Sequence, residues 1–145
     1  MDSEPNCKFC QIVTHALAAA IVFEDSISLA FLDNRPLFPG HTLLIPKDHY
    51  ETLADLPPDL IGPFFTNAQR LSRAVETGMH SEGSFVAVNN RVSQSVPHLH
   101  VHIVPRRKKD ALRGFFWPRQ HYKDEAEMRQ AQAAIQKALG PDSGF

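Results

Sequence analysis

His98-Leu99-His100-Val101-His102-Ile103-Val104 is the stretch of this 145-residue chain on which the fold is read. Imidazole and aliphatic side chains alternate strictly along it. On a β-strand, residues i, i+2 and i+4 share a face, each step advancing ~6.6 Å. The spacing therefore predicts a strand with two unlike faces, His98, His100 and His102 on one and Leu99, Val101 and Ile103 toward the core. Further short elements flank it. Residues 20–23 and 28–32 are apolar and separated by Glu24-Asp25-Ser26, which reads as a hairpin. Residues 34–40 hold two prolines and a glycine and form a loop, and His41 to Ile45 reads as the next strand, closed by Pro46. Ile61, Phe64, Phe65, Ala68, Leu71 and Val75 recur at spacings of three and four, the mark of an amphipathic helix. Its start lies at Pro57-Pro58 or, because of Gly62-Pro63, later, and Gly78 ends it. Residues 9–14 read as a short helix, 85–88 as a strand and 89–97 as a polar loop. A last helix is capped by Asp124, with Glu127 at the capping-box position, and ends at Gly140-Pro141. Strands in runs with helices between the runs predict an α+β fold, an antiparallel sheet of about five strands with helices packed on it.

Composition bounds the function. Apolar residues make up 43% and charged residues 21%, as in an ordinary globular chain. The formal charge of −1 argues against a protein that coats nucleic acid, and no specific nucleic-acid partner is expected. The longest apolar run, residues 16–23, is far short of the ~20 residues a membrane span needs. Two cysteines exclude a disulfide-stapled domain. No linker or repeat divides the chain. One domain is expected over residues 1–145, with a core at about 7–107 and a basic, aromatic segment plus helix over 108–140. Nothing at the N-terminus resembles a signal peptide, so a cytoplasmic address is the default expectation.

Three imidazoles on one strand face suit two chemistries. They can hold a catalytic metal, since paired histidines are common zinc ligands, although such a hydrolase usually wants a nearby carboxylate. They can also act as nucleophile and acid–base on phosphorus. The flanks favour phosphorus. Gln94 and Ser95 offer an amide, a hydroxyl and backbone N–H groups to phosphate oxygens, and Asn89 or Asn90 offers one more contact. Downstream, residues 105–123 carry seven of the fifteen Lys and Arg residues and a single acid, Asp110. Such local positive charge suits a polyphosphate, though a solvated basic loop has the same composition.

The seven residues resemble the motif that names the histidine triad family. Gln94-Ser95-Val96 is similar to that family's approach to the triad. Phe31-Leu32-Asp33, Pro36 and Pro39-Gly40-His41-Thr42-Leu43-Leu44-Ile45-Pro46 are similar to its loop and strand before the long helix, and Phe9-Cys10-Gln11-Ile12-Val13 to its opening helix. The resemblance implies a nucleotide hydrolase or transferase, homodimeric, acting on a purine nucleotide. His100 would attack the α-phosphorus and form a nucleotidyl-imidazole. His102 would sit beside the phosphate as donor, with Gln94 and Ser95 holding phosphate or leaving group and His41 touching the triad from the adjacent strand. Asp33 would accept from the ribose hydroxyls, and Phe9, Ile12 and Leu32 would pack on the base. A dinucleoside polyphosphate is the first substrate choice, then a nucleoside phosphoramidate, then nucleotidyl transfer to phosphate. The rival of another class is a nucleotide-binding adaptor with little turnover. Ser93 departs from the pattern, standing where the family often has glycine.

Cys7-Lys8-Phe9-Cys10 has the spacing of a zinc half-site, a redox pair or two inert thiols. With His49 and His98 it would complete a closed Cys2His2 set, in which zinc is structural. That set resembles a zinc-bearing subset of the histidine triad family and the related galactose-1-phosphate uridylyltransferases. The aromatics Phe115, Phe116 and Trp117 read as a tail anchor, or as a stacking platform for a second base.

Overall fold

Alternating burial builds the sheet. In the computed structural model, which describes residues 3–112 and 119–141, five strands run in the order β1-β2-β3-β5-β4 with every neighbouring pair antiparallel. They are β1 (Ile21–Glu24), β2 (Ser28–Leu32), β3 (Thr42–Pro46), β4 (Gly83–Val88) and β5 (Val101–Arg106). The expected α+β architecture is the observed one. Leu29, Phe31, Leu43 and Ile45 face one side, where they pack with Phe9, Cys10, Ile12 and Val13 of α1 (Lys8–Val13). Ala30, Leu44, Leu99, Val101 and Ile103 face the other, where Phe64, Ala68, Leu71 and Val75 of α2 (Pro58–Gly78) cover them. β2 and β3 thus divide their side chains between two cores with a period of two.

The β1–β2 turn is held by one carboxylate. Asp25 Oδ1 accepts from the Ile27 and Ser28 amides and from the Ser28 hydroxyl, and Oδ2 accepts from Asn67 Nδ2 of α2 at 2.7 Å. That last bond ties the hairpin to the helix. The helix starts at Pro58 and runs through Gly62-Pro63. Proline at the first helical position removes a donor that has no acceptor there. Pro63 has no N–H for the ladder, and Thr66 Oγ1 donates to the Gly62 carbonyl at 2.7 Å beside it.

One expectation is corrected. The histidine stretch is not a strand throughout, because β5 begins only at Val101. Pro97 cannot donate to a ladder, the His98 amide donates back to Val96 O, and the Leu99 amide donates to Tyr50 O. His98 and His100 therefore lie on an extended approach to the sheet, with only His102 in it.

Residues Met1–Asp110 form one compact unit and Ala111–Phe145 a second. In the second, α3 (Glu125–Leu139) is capped as its sequence indicates, Asp124 accepting from the Glu127 amide at 2.8 Å. The aromatic run Phe115-Phe116-Trp117 lies outside the described residues.

Candidate active site

His98, His100 and His102 share a side of the molecule but not a task. Phe9 of α1 packs against two of them, its ring edge-on to His98 at 5.9 Å and to His100 at 5.1 Å between centroids. His100 and His102 lie 4.9 Å apart. Hydrogen bonds fix which nitrogen of each ring carries the proton.

His100 Nδ1 lies 2.7 Å from the His98 carbonyl. A carbonyl only accepts, so Nδ1 holds the proton and Nε2 is left with its lone pair. Burial pushes the His100 pKa below its ordinary value, which keeps that lone pair free at neutral pH. His102 is set from further away. The Leu37 amide donates to His41 Nδ1 at 3.1 Å. His41 must then carry its proton on Nε2, which lies 3.0 Å from His102 Nδ1 and donates to it. His102 in turn holds its proton on Nε2. That Nε2–H is buried with no partner among the described residues. Burial, with the neighbouring His100 and His41 rings, pushes the His102 pKa down to about 4. Side by side the site therefore offers an electron pair on His100 Nε2 and an unused donor on His102 Nε2. An orphaned buried donor costs about 1–3 kcal/mol and marks a place where a ligand oxygen fits.

A cavity of about 610 Å³ opens beside this pair. It is lined by His100, His102 and Ser95, and by the expected nucleoside contacts Phe9, Ile12, Leu32 and Asp33. Asp33 Oδ1 accepts from the Arg35 amide, and Oδ2 lies 3.8 Å from His41 Nε2. Lys8 and Val96 also line the cavity and were not singled out from the sequence.

Other expected contacts are engaged elsewhere. Gln94 does not line the cavity. Its amide donates to Glu51 O at 2.6 Å and its carbonyl oxygen accepts from the Arg91 amide, so it builds the loop before the triad. Asn89 Nδ2 donates to Ser93 O within the same loop. Three residues of the basic run also have partners away from the cavity. Arg106 pairs with Asp110 at 2.6 Å, Arg107 donates to the Met79 carbonyl, and Lys108 lies 3.9 Å from Glu82. Carboxylates offset the charge of Arg106 and Lys108, which composition alone does not reveal. Ser93 has φ +61°, the left-handed region where the family's glycine is at ease.

The second constellation is the sulfur–imidazole set. Cys7 Sγ lies 3.5 Å from His98 Nδ1, and Cys10 Sγ lies 3.6 Å from His98 Nδ1 and 3.3 Å from His49 Nδ1. All four donor atoms fall within 4.8 Å of one another. His98 Nε2 donates to the Pro46 carbonyl at 2.9 Å, which leaves the Nδ1 lone pair facing both sulfurs. Burial drives the His98 pKa down to about 4, so the ring is neutral as a metal ligand must be. Two thiols and two imidazoles, His98 anchored through its outer nitrogen, fit zinc, whose bonds of ~2.0–2.3 Å need ligand atoms at about these separations. A further group, Asp33, His41 and His102, also meets the distance condition for a metal, but its two rings are already bonded to each other. His100 belongs to neither group.

Residues 15–109 match the HIT domain family model. The chain belongs to the HIT domain family. It is 35% identical over 109 residues to adenylylsulfatase HINT3 of Arabidopsis thaliana, covering 74% of this chain but 55% of that protein. It is 34% identical to protein hit of Bacillus subtilis over 96% of this chain and 98% of that one. With the asymmetrical bis(5'-nucleosyl)-tetraphosphatase of Schizosaccharomyces pombe it shares 32% identity over 65% of this chain and 53% of the other. This HIT chain thus spans about half the length of two of these relatives. Among solved structures, a HIT family member from Bacillus subtilis superposes with a TM-score of 0.84 at 33% identity, over 94% of this chain and 99% of that one. A zinc-bound histidine triad protein from Mycobacterium smegmatis gives 0.70 at 36%, over 97% and 98%.

Proposed function

We infer that this HIT protein hydrolyses a purine nucleotide derivative at its α-phosphate through a nucleotidyl-histidine intermediate, the first-choice substrate being a dinucleoside polyphosphate. The observation that carries the reading is the paired state of the two rings, lone pair on His100 Nε2 and orphaned N–H on His102 Nε2. In the first step the His100 lone pair forms a bond to the α-phosphorus. The bond from phosphorus to the bridging oxygen breaks, and the leaving phosphate takes the electron pair as an anion. His102 donates a hydrogen bond, not a proton, to the oxygen on which charge gathers. In the second step water displaces the imidazole, Nε2 recovers its pair, and the water proton leaves with the nucleoside monophosphate or to solvent. Two steps replace one difficult displacement. Asp33 accepts from the ribose, Phe9, Ile12 and Leu32 pack on the base, and Ser95 holds phosphate. Gln94 and Asn89 shape the loop that presents Ser95, and His41 positions His102.

A neutral His102 favours a leaving group that departs as a stable anion over an amine, which needs a full proton. Relatives named for an adenylyl sulfate and a nucleosyl tetraphosphate agree with that preference. Zinc held by Cys7, Cys10, His49 and His98 would have protein ligands at all four positions and would tie α1 to the triad, a structural role. The homodimer belongs to the same reading, supported by β4 at the sheet edge with Val86 exposed on it.

Diadenosine tetraphosphate turned over in ¹⁸O-water tests the reaction. The label is expected in AMP, with ATP unlabelled. Label in ATP, or in two molecules of ADP, would contradict attack at the α-phosphorus.

A further inference from the structure

A displacement at phosphorus needs room for what departs as well as for what stays. A second cavity, about 440 Å³, adjoins the first and shares three lining residues with it, Lys8, Ser95 and Val96. The first cavity holds the groups that suit the transferred nucleoside. The second is lined beyond the shared boundary by Glu4, Asn6, Glu51 and Pro97, and by Cys7 and His49 of the sulfur–imidazole set. Among the described residues, Lys8 is the one Lys or Arg that lines either cavity.

Lys8 is also uncommitted. Lys47 pairs with Glu24 at 2.9 Å and Arg106 with Asp110 at 2.6 Å. Lys8 has no ion pair among the described residues, and its side chain is exposed. Its backbone, by contrast, is fixed on both sides. Cys7 is buried in the sulfur–imidazole set, and Phe9 is buried against His98 and His100. A rigid base with a free four-carbon stem delivers an ammonium group along the boundary without a bonded rival.

We propose that the second cavity is the leaving-group subsite and that Lys8 binds the non-transferred phosphate of a phosphoanhydride substrate at the boundary between the two cavities. This deepens the reading of His100 as nucleophile and rests on it. The carboxylates of Glu4 and Glu51 confine the phosphate charge to the Lys8 end, because like charges at close range repel. Beyond it they accept hydrogen bonds, the chemistry that a second ribose offers. Lys8 is therefore a specificity residue that separates dinucleoside polyphosphates from nucleoside monophosphates.

The test is binding in the His100→Ala protein, so that turnover does not intervene. Affinities for diadenosine tetraphosphate and for AMP are measured with and without Lys8→Met. The tetraphosphate is expected to weaken about tenfold, as for loss of one charge-assisted contact, and AMP less than about twofold. Lys8→Arg is expected to keep most of the tetraphosphate affinity. Zinc content and Tm, read on every variant, separate a lost charge from a disturbed α1. The proposal is overturned if Lys8→Met weakens both ligands equally, weakens neither, or if the parent binds the tetraphosphate no better than AMP. Labelling of His100 is a separate assay. Failure there with the Lys8 difference intact would remove the nucleophile and leave the subsite standing.

Discussion

The state of two ring nitrogens rests on one backbone amide. Leu37 N–H fixes His41, and His41 fixes His102, so a residue with no place on the cavity wall sets the donor of one that lines it. Replacing His41 by Ala removes the donor to His102 Nδ1 and frees the ring to take its other tautomer. kcat is expected to fall about a hundredfold, within the range of a misplaced acid–base partner, with KM little changed. A matching fall in nucleotide affinity would place His41 in binding. The depressed histidines also dictate a pH response. His102 is held neutral with a value near 4, and His41 and His100 beside it lie below their ordinary value, against an unfolded value of about 6.5. Below that unfolded value the unfolded chain binds more protons than the native one. Their contribution is full above about pH 6.5 and drains away toward pH 4. Tm should therefore fall between pH 7 and pH 5, and His102→Gln should fall less steeply over the same interval, read by thermal unfolding at each pH.

At the scale of elements, the loop between β2 and β3 is where geometry is tightest. Gly40 has φ +96°, and a Cβ there would meet Met79 Cγ, just past α2, at 2.5 Å. Gly40→Ala combines a forbidden backbone angle with overpacking, and about 2–4 kcal/mol of stability should be lost. His41 follows directly, so activity should drop with it. Met79→Ala in the same chain should restore part of the Tm, because it removes the clash but not the backbone strain. Full restoration would show that φ carries no cost there. The helix α2 was legible because it buries one face and burial imposes its period on the sequence, and β2 and β3 because burial on both faces makes a short continuous apolar run. The approach to the triad was not. Pro97 and the tie from Leu99 to Tyr50 keep His98 and His100 outside the ladder, and alternation alone reads the same in either case. The roles of Gln94 and Asn89 were hidden for a related reason. An amide that shapes a loop and an amide that binds phosphate are the same residue in sequence.

Across the whole molecule, two of the three histidines of one motif serve different centres. His98 turns to Cys7 and Cys10 at the start of α1, and His100 lines the first cavity, with Phe9 packed against both. The cysteine spacing named the half-site, and the fold brings His49 and His98 to it from distant positions. In the basic run, Arg106, Arg107 and Lys108 meet Asp110, the Met79 carbonyl and Glu82 only in the folded chain. Cys7→Ser with Cys10→Ser should abolish bound zinc by metal analysis and lower Tm, since metal binding there is coupled to the packing of α1. Retained zinc would place the metal elsewhere. The covalent step is tested most directly by rapid quench of a single turnover with α-labelled substrate, followed by mapping of the bound label. Acid-labile label on His100, absent from His100→Ala, is the expected result. Turnover at the full rate by His100→Ala, or label carried on another residue, would contradict it.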